Sequence, residues 1–169
     1  MIGVPRGKVK LSPHNPKWLE SFAEEKKSLE RFGQVEHIGS TAIPGLYAKP
    51  IIDIALGVSS LKDNEVEKYK KPFAEIDYHY IREDRPDEYL FIKGPESKRT
   101  HHLHLIEIDS QAWKNYILFR DYLIANPEAR EQYTKLKKEL AKKFAEDRKS
   151  YTAGKVALVE KFIKQANGQ

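Results

Sequence analysis

Cysteine is missing from this 169-residue chain. Its absence excludes disulfides, thiolate nucleophiles and cysteine-ligated zinc or iron–sulfur centres, and it fits a reducing compartment. Long apolar runs are missing too. The opening stretch MIGVPRGKVKLSPHN holds no apolar core of signal-peptide length, and no later stretch approaches a membrane span. A soluble cytoplasmic protein without a membrane partner is the expectation. Repeats, low-complexity tracts and a recognisable linker are also lacking, so one domain over residues 1–169 is expected. Hydrophobic residues make up 40% of the chain and charged residues 33%, which supports a packed core under a charged surface and excludes disorder.

What charge there is lies unevenly. The net charge is +5, and from Ser110 onward ten lysines and three arginines face two aspartates and five glutamates. Such an excess attracts phosphates or nucleic acid, or simply solvates helix faces that mix Lys with Glu. No aromatic stacking platform or base-reading motif accompanies it, so nucleic acid is the weaker partner expectation.

Periodicity and punctuation give the elements. NPKWLESFAEEKKSLERFG reads as a helix capped by Asn15, with Pro16 in its first turn and Gly33 just past its end. Trp18, Leu19, Phe22, Leu29 and Phe32 form its apolar face. VEHI is a short strand, and PIIDIALGV is apolar enough to be covered on both faces. Residues 60–76 suggest a helix that Pro72 kinks or ends. YHYI and EYLFIKG read as paired strands separated by the polar REDRPD. HHLHLIEI follows, its alternation setting His102 and His104 on one face and Leu103, Leu105 and Glu107 on the other. Three helices complete the chain: one from Ser110 to Asn126, one after the Asn126 cap with the stripe Ala129, Tyr133, Leu136, Leu140 and Phe144, and one over residues 150–166. This order predicts an α/β (α+β) fold, a sheet flanked by helices over 1–109 with a helical part over 110–169.

Two stretches carry candidate chemistry. In EHIGSTAIPGLYAKPIIDIALGV, the turn Gly39–Ser40 with Thr41 offers backbone N–H groups and hydroxyls to an anion, and Asp53 follows on a strand able to run beside VEHI. A carboxylate there binds a divalent cation that orients phosphates, or it is ion-paired, with Lys49 the nearest partner. In HHLHLIEI, His102 and His104 at i and i+2 suit a metal, with Asp53 or His37 completing it. They suit equally a hydrogen-bonded polar cleft or a general base. Arg99, Arg120, Tyr151 and Lys155 are further candidates for holding phosphate.

Four blocks, EHIGSTAIPGLYAKPIIDI, RTHHLHLIE, FRDYLIANPEAREQYTKLKKELAKKF and DRKSYTAGK, resemble the GrpB family in that order and spacing, over nearly the whole chain. The family is bacterial, occurs fused to dephospho-coenzyme A kinase, and is grouped by fold with the nucleotidyltransferases. The resemblance implies a nucleotidyltransferase-like mixed sheet, with Gly39 and Ser40 as the phosphate turn and Asp53 as the first metal acid. It implies a nucleotide or phosphorylated small molecule as ligand and a divalent ion as cofactor. Ala55 stands where the second acid belongs, and the strand expected to carry the third offers His102 and His104. One carboxylate with imidazoles suits Mn²⁺ or Zn²⁺ better than Mg²⁺, which prefers several oxygen ligands. The corresponding assignment makes Asp53, His102 and His104 catalytic and metal-binding, and Gly39, Ser40, Thr41, Lys49 and Arg99 nucleotide-binding.

Overall fold

A computed structural model describes residues 2–85 and 88–168. Its element order is α1 (Lys17–Leu29), β1 (Gln34–Ile38), a 3-10 turn (Ser40–Ala42), β2 (Ile52–Val58), α2 (Glu67–Ala74), β3 (His79–Arg85), β4 (Glu88–Lys93) and β5 (His101–Glu107). Four helices follow: α3 (Gln111–Ala125), α4 (Pro127–Lys143), α5 (Arg148–Ala153) and α6 (Val156–Ala166). Five strands form one mixed sheet in the order β1-β2-β5-β4-β3, with β2 and β5 parallel and the other neighbours antiparallel. The fold is thus the α/β sheet expected from the order of elements, and it is mixed as the family resemblance implies.

The sheet has two faces with different coverings. Ile52, Ile54, Leu56, Leu103, Leu105 and Phe91 point to one face, where Trp18 and Leu29 of α1 and Phe73 of α2 complete the largest apolar cluster. Phe73 is fully buried, and its truncation to alanine costs about 3–5 kcal/mol. On the other face Ile38, Ala55 and Ile106 receive Ala112 and Trp113 of α3. A third cluster joins Ile43 and Leu46 of the β1–β2 connection to Phe119, Leu123, Tyr133 and Phe162 of α3, α4 and α6. The helices after residue 110 therefore wall one end of the second face.

Several elements differ from the reading by periodicity. Pro16 takes the cap position of α1, one residue later than expected, with the Asn15 side chain accepting the Lys17 N–H at 3.0 Å, and Leu19 is 43% exposed and off the apolar face. Gly33 lies beyond the right-handed cap Glu30. It is needed instead for close approach, since a Cβ there would stand 2.2 Å from the Gly57 carbonyl oxygen. Helix α2 starts only at Glu67, because Asp63 and Asn64 adopt positive φ before it, and Pro72 sits inside it two residues from its end. Strand β3 runs through the polar REDR to Arg85, with register shifts along it. The rest of the expected turn, residues 86–87, lies outside the described residues. The last helix divides into α5 and α6 at Gly154–Lys155. Among the described residues no helix is long and apolar enough to cross a membrane.

Candidate functional site

Register brings the two chemical stretches together. Asp53 pairs with Ile38 at the end of β1 and, on its other side, with His102 of β5. Ala55 pairs with His104. Side chains of laterally paired residues share a face, so Asp53, His102 and His104 point together toward α3. The odd-numbered positions of β5 turn the other way, where Glu107 accepts the Leu61 N–H at 2.7 Å.

These three residues open into a cavity of about 660 Å³ between the sheet and the later helices. Gly39, Ser40 and Lys49 line it from the β1–β2 connection, and Lys137, Arg148, Tyr151 and Lys155 line it from α4, α5 and the α5–α6 junction. Gly39 has φ 69° and ψ −169°, a region open essentially to glycine. A Cβ at Gly39 would stand 2.5 Å from Asp53 Oδ2. The turn thus lies directly against the carboxylate.

Asp53 Oδ1 lies 3.0 Å from His102 Nδ1. Burial pushes the Asp53 carboxyl up, but the hydrogen bond and charge of His102, with His104 and Lys49, outweigh it and hold the group at about 2. Burial lowers His102, against the pull of Asp53. An ionised carboxylate only accepts, so His102 donates its Nδ1–H. His104 Nε2 lies 4.0 Å from the same Asp53 oxygen, while its Nδ1 is 2.7 Å from Glu88 Oε1. Tyr116 donates its hydroxyl to that Glu88 oxygen at 2.8 Å, and Glu88 is 1% exposed. One donor atom each from Asp53, His102 and His104 lie within 4.8 Å of one another. That set of one oxygen and two nitrogens fits a divalent ion tolerant of imidazole.

Cations surround Asp53, which shares the cavity lining with one other carboxylate, Glu160 of α6. Lys137 is 1% exposed and donates to Ser40 Oγ at 3.1 Å and to the Tyr47 carbonyl. Burial, then Lys155 and Lys49, push its pKa well below the ordinary lysine value. Lys49 is lowered to about 8 by burial and by the charges of Arg148 and Lys155. Lys155 is lowered to about 8 by burial and Arg148, against the attraction of Asp53. The ammonium groups of Lys155 and Lys49 lie 4.6 and 5.7 Å from the Tyr151 ring centroid. Four cations from four separated segments repel one another here, and an anion would relieve that repulsion.

Not every candidate reaches the cavity. Thr41 is 1% exposed; its hydroxyl donates to the Ile51 carbonyl at 3.2 Å and meets His37 Nε2 at 3.0 Å. Arg99 lies away from the cavity, its guanidinium on the Gly94 carbonyl and near Glu96. His37 is register-paired with Ile54 and stacks on Phe22, on the opposite face from Asp53, so it does not complete the Asp53 cluster. Arg120 pairs with Glu36 and Asp121. Lys49 approaches Asp53 through space, but the hydrogen-bonded partner of Asp53 is His102. Lys137 and Glu88 escaped the sequence reading. Lys137 carries a signal in its spacing, four residues after Tyr133 and eight after Ala129, which makes it a lysine on the buried stripe of α4. Glu88 looks like an ordinary strand end.

Comparison with known proteins fits this geometry to a family. The family model described as GrpB protein matches residues 8–165. The chain belongs to the GrpB family. The glutamate-rich protein GrpB of Alkalihalophilus pseudofirmus is 39% identical over 98% of this chain and 99% of its own length. The crystal structure of GrpB from Enterococcus faecalis superposes with a TM-score of 0.84 at 35% identity, covering 93% of this chain and 96% of that one. The Cid1 poly(U) polymerase with Mg 3′-dATP bound superposes at TM-score 0.54 and 12% identity, covering 77% of this chain and 43% of that one. That last likeness is one of fold, and it places the GrpB sheet among nucleotidyltransferase-like sheets.

Proposed function

We propose that this GrpB protein is a metal-dependent, nucleotidyltransferase-like enzyme acting on a nucleotide or phosphorylated small molecule. The observation that carries the reading is the convergence of Lys49, Lys137, Arg148 and Lys155 on a cavity whose floor is Asp53 with two histidines. Ser40 and Lys137 grip one phosphate, and Lys49 and Lys155, both near the Tyr151 ring, neutralise the rest. Hydrogen bonds from charged donors are worth about 1.5–3 kcal/mol each, so such contacts suffice for micromolar binding. Asp53 with one of the two histidines, His102 or His104, would hold the ion, Mn²⁺ or Zn²⁺ in preference to Mg²⁺, which would supply charge stabilisation at the transferred phosphoryl group when bound. The two imidazoles divide the remaining work: one stays with the ion, and the other accepts the proton of the acceptor hydroxyl. Enclosed cations of this kind suit a small ligand better than a nucleic-acid strand.

The test is a binding titration of ATP, GTP, CTP and UTP with Mg²⁺, Mn²⁺, Zn²⁺ or EDTA, on the natural chain and on Asp53→Asn. Metal-dependent binding that Asp53→Asn abolishes is the expected result. Nucleotide turnover that survives Asp53→Asn unchanged would overturn the reading.

Ala55 favours a second reading. It is fully buried at the position of the second acid, in the cluster that holds Trp113, and a two-ion centre needs more carboxylates than Asp53, which stands with two histidines in the group able to share an ion. A module that binds a nucleotide or cofactor without turning it over would keep the cations and dispense with those acids. Robust metal-dependent consumption of a nucleoside triphosphate by pure protein removes that alternative.

A further inference from the structure

Asp53, His102 and His104 are close enough to share one ion, yet their hydrogen bonds make the two imidazoles unequal. His102 turns Nδ1 toward Asp53 at 3.0 Å. Because the carboxylate only accepts, that nitrogen carries the proton and offers no lone pair to an ion seated on Asp53. The lone pair of His102 is on Nε2, at the other edge of the ring.

His104 has the opposite arrangement. Its Nδ1 lies 2.7 Å from Glu88 Oε1, and that oxygen also accepts the Tyr116 hydroxyl at 2.8 Å. Glu88 is 1% exposed and is anchored on β4, two positions before Leu90, the register partner of His104. A carboxylate holding the Nδ1 proton leaves the lone pair on Nε2, and Nε2 is the nitrogen 4.0 Å from Asp53 Oδ1. Two electron-pair donors thus face each other across the floor of the cavity, and a cation between them satisfies both. A carboxylate behind the far nitrogen of an imidazole is the usual backing for a metal-bound histidine, and losing it costs 10–100-fold in metal affinity.

We infer that Glu88, steadied by Tyr116, is the positioning residue that commits His104 Nε2 to the ion, leaving His102 Nε2 to accept a proton. The inference rests on the metal-dependent reading of the cavity and divides its labour. Neither Glu88 nor Tyr116 needs to touch the ligand. Their effect passes through the choice of ring nitrogen that is protonated.

Two measurements test it, the first on metal-free protein. In ¹⁵N-labelled chain, long-range ring correlations are expected to show His104 protonated on Nδ1 alone, and Glu88→Gln to mix the two ring forms while leaving the His102 signals in place. A merely structural role for Glu88 would not move that signature selectively. The second is titration with Co²⁺ and Zn²⁺, following the cobalt absorption bands. Glu88→Gln is expected to weaken binding about tenfold and Glu88→Ala up to about a hundredfold. Tyr116→Phe, the mildest change to the fold, is expected to weaken it a few-fold. His104→Gln is expected to lose far more affinity than His102→Gln. Binding by the natural chain that is unchanged in every Glu88 and Tyr116 variant overturns this inference and leaves the metal reading standing. So does a greater loss in His102→Gln than in His104→Gln. Failure of the natural chain to bind either ion overturns the metal reading itself, and this inference with it.

Discussion

Four buried or nearly buried histidines stand on the two faces of one sheet, and the two pairs do different things. On the face covered by α1 and α2, His37 meets Thr41 Oγ1 at 3.0 Å and His101 meets Thr100 Oγ1 at 2.9 Å. Each threonine hydroxyl donates onward to a backbone carbonyl, of Ile51 and Lys93 respectively, so each must accept from its histidine. Those imidazoles are neutral: burial lowers His37 to about 4, and burial lowers His101 as well. On the face toward α3, His102 and His104 meet the carboxylates of Asp53 and Glu88 instead. Hydroxyl partners make a histidine a packed core residue, and carboxylate partners make it an electron-pair donor with a fixed direction. The residue type is the same, and the neighbour one strand away decides its use.

The contrast is broken most severely at Asp53. Asp53→Asn is expected to weaken metal-dependent nucleotide binding by about a thousandfold, roughly 4 kcal/mol, in isothermal titration, whereas His37→Phe on the other face should change it less than twofold. The reverse asymmetry is expected in acid. The folded-state pKa of His37, about 4, lies below the ordinary 6.5, so between these values the unfolded chain binds the proton and the folded one does not. Stability should therefore fall as pH drops through that window, by about 3 kcal/mol for this group. Urea unfolding at pH 7 and pH 4.5 is expected to show a smaller difference in His37→Phe than in the natural chain.

Smaller effects sharpen the comparison. Gly39→Ala puts a carbon against the Asp53 carboxylate in a strained backbone conformation, so a loss of about 1–3 kcal/mol in unfolding free energy is expected, together with weaker nucleotide binding. Lys137→Met removes a buried cation whose hydrogen-bond acceptors are neutral oxygens. Its expected signature is opposed: thermal stability up by about 1 kcal/mol and inorganic tripolyphosphate affinity down about tenfold. Last, Lys49 and Lys155 sit near 8 in the ligand-free protein. Tripolyphosphate affinity should hold below that pH and fall a few-fold above it, because the bound anion favours the charged lysines.

Much of the floor of the cavity was legible from alternation. A period of two puts His102 and His104 together, and the apolar run around Asp53 calls for a strand covered on both faces, but that the histidine strand lies beside it follows only from the pairing of β2 with β5. Asp53, His102, His104, Gly39, Ser40 and Lys49 do line one cavity. Thr41 and Arg99 were grouped with them by closeness in sequence, which fails where a 3-10 turn rotates Thr41 inward and where Arg99 folds back on its own loop. The cation wall was harder to read because its members are far apart in sequence and each resembles a surface residue when taken alone. Strand β3 was cut short in the reading because its last residues are polar, as suits the edge strand at one end of the sheet.

Gly39 leaves no room for one more carbon atom between the turn and the Asp53 carboxylate. A guest seated on the turn and a guest seated on the carboxylate therefore share a wall. On the proposed reading, moving either guest would adjust the place of the other, and thermodynamic reciprocity would make the first guest's effect on the second equal to the second's effect on the first. The two seats would then form one receptor, and which guest arrives first would be a question of rate alone.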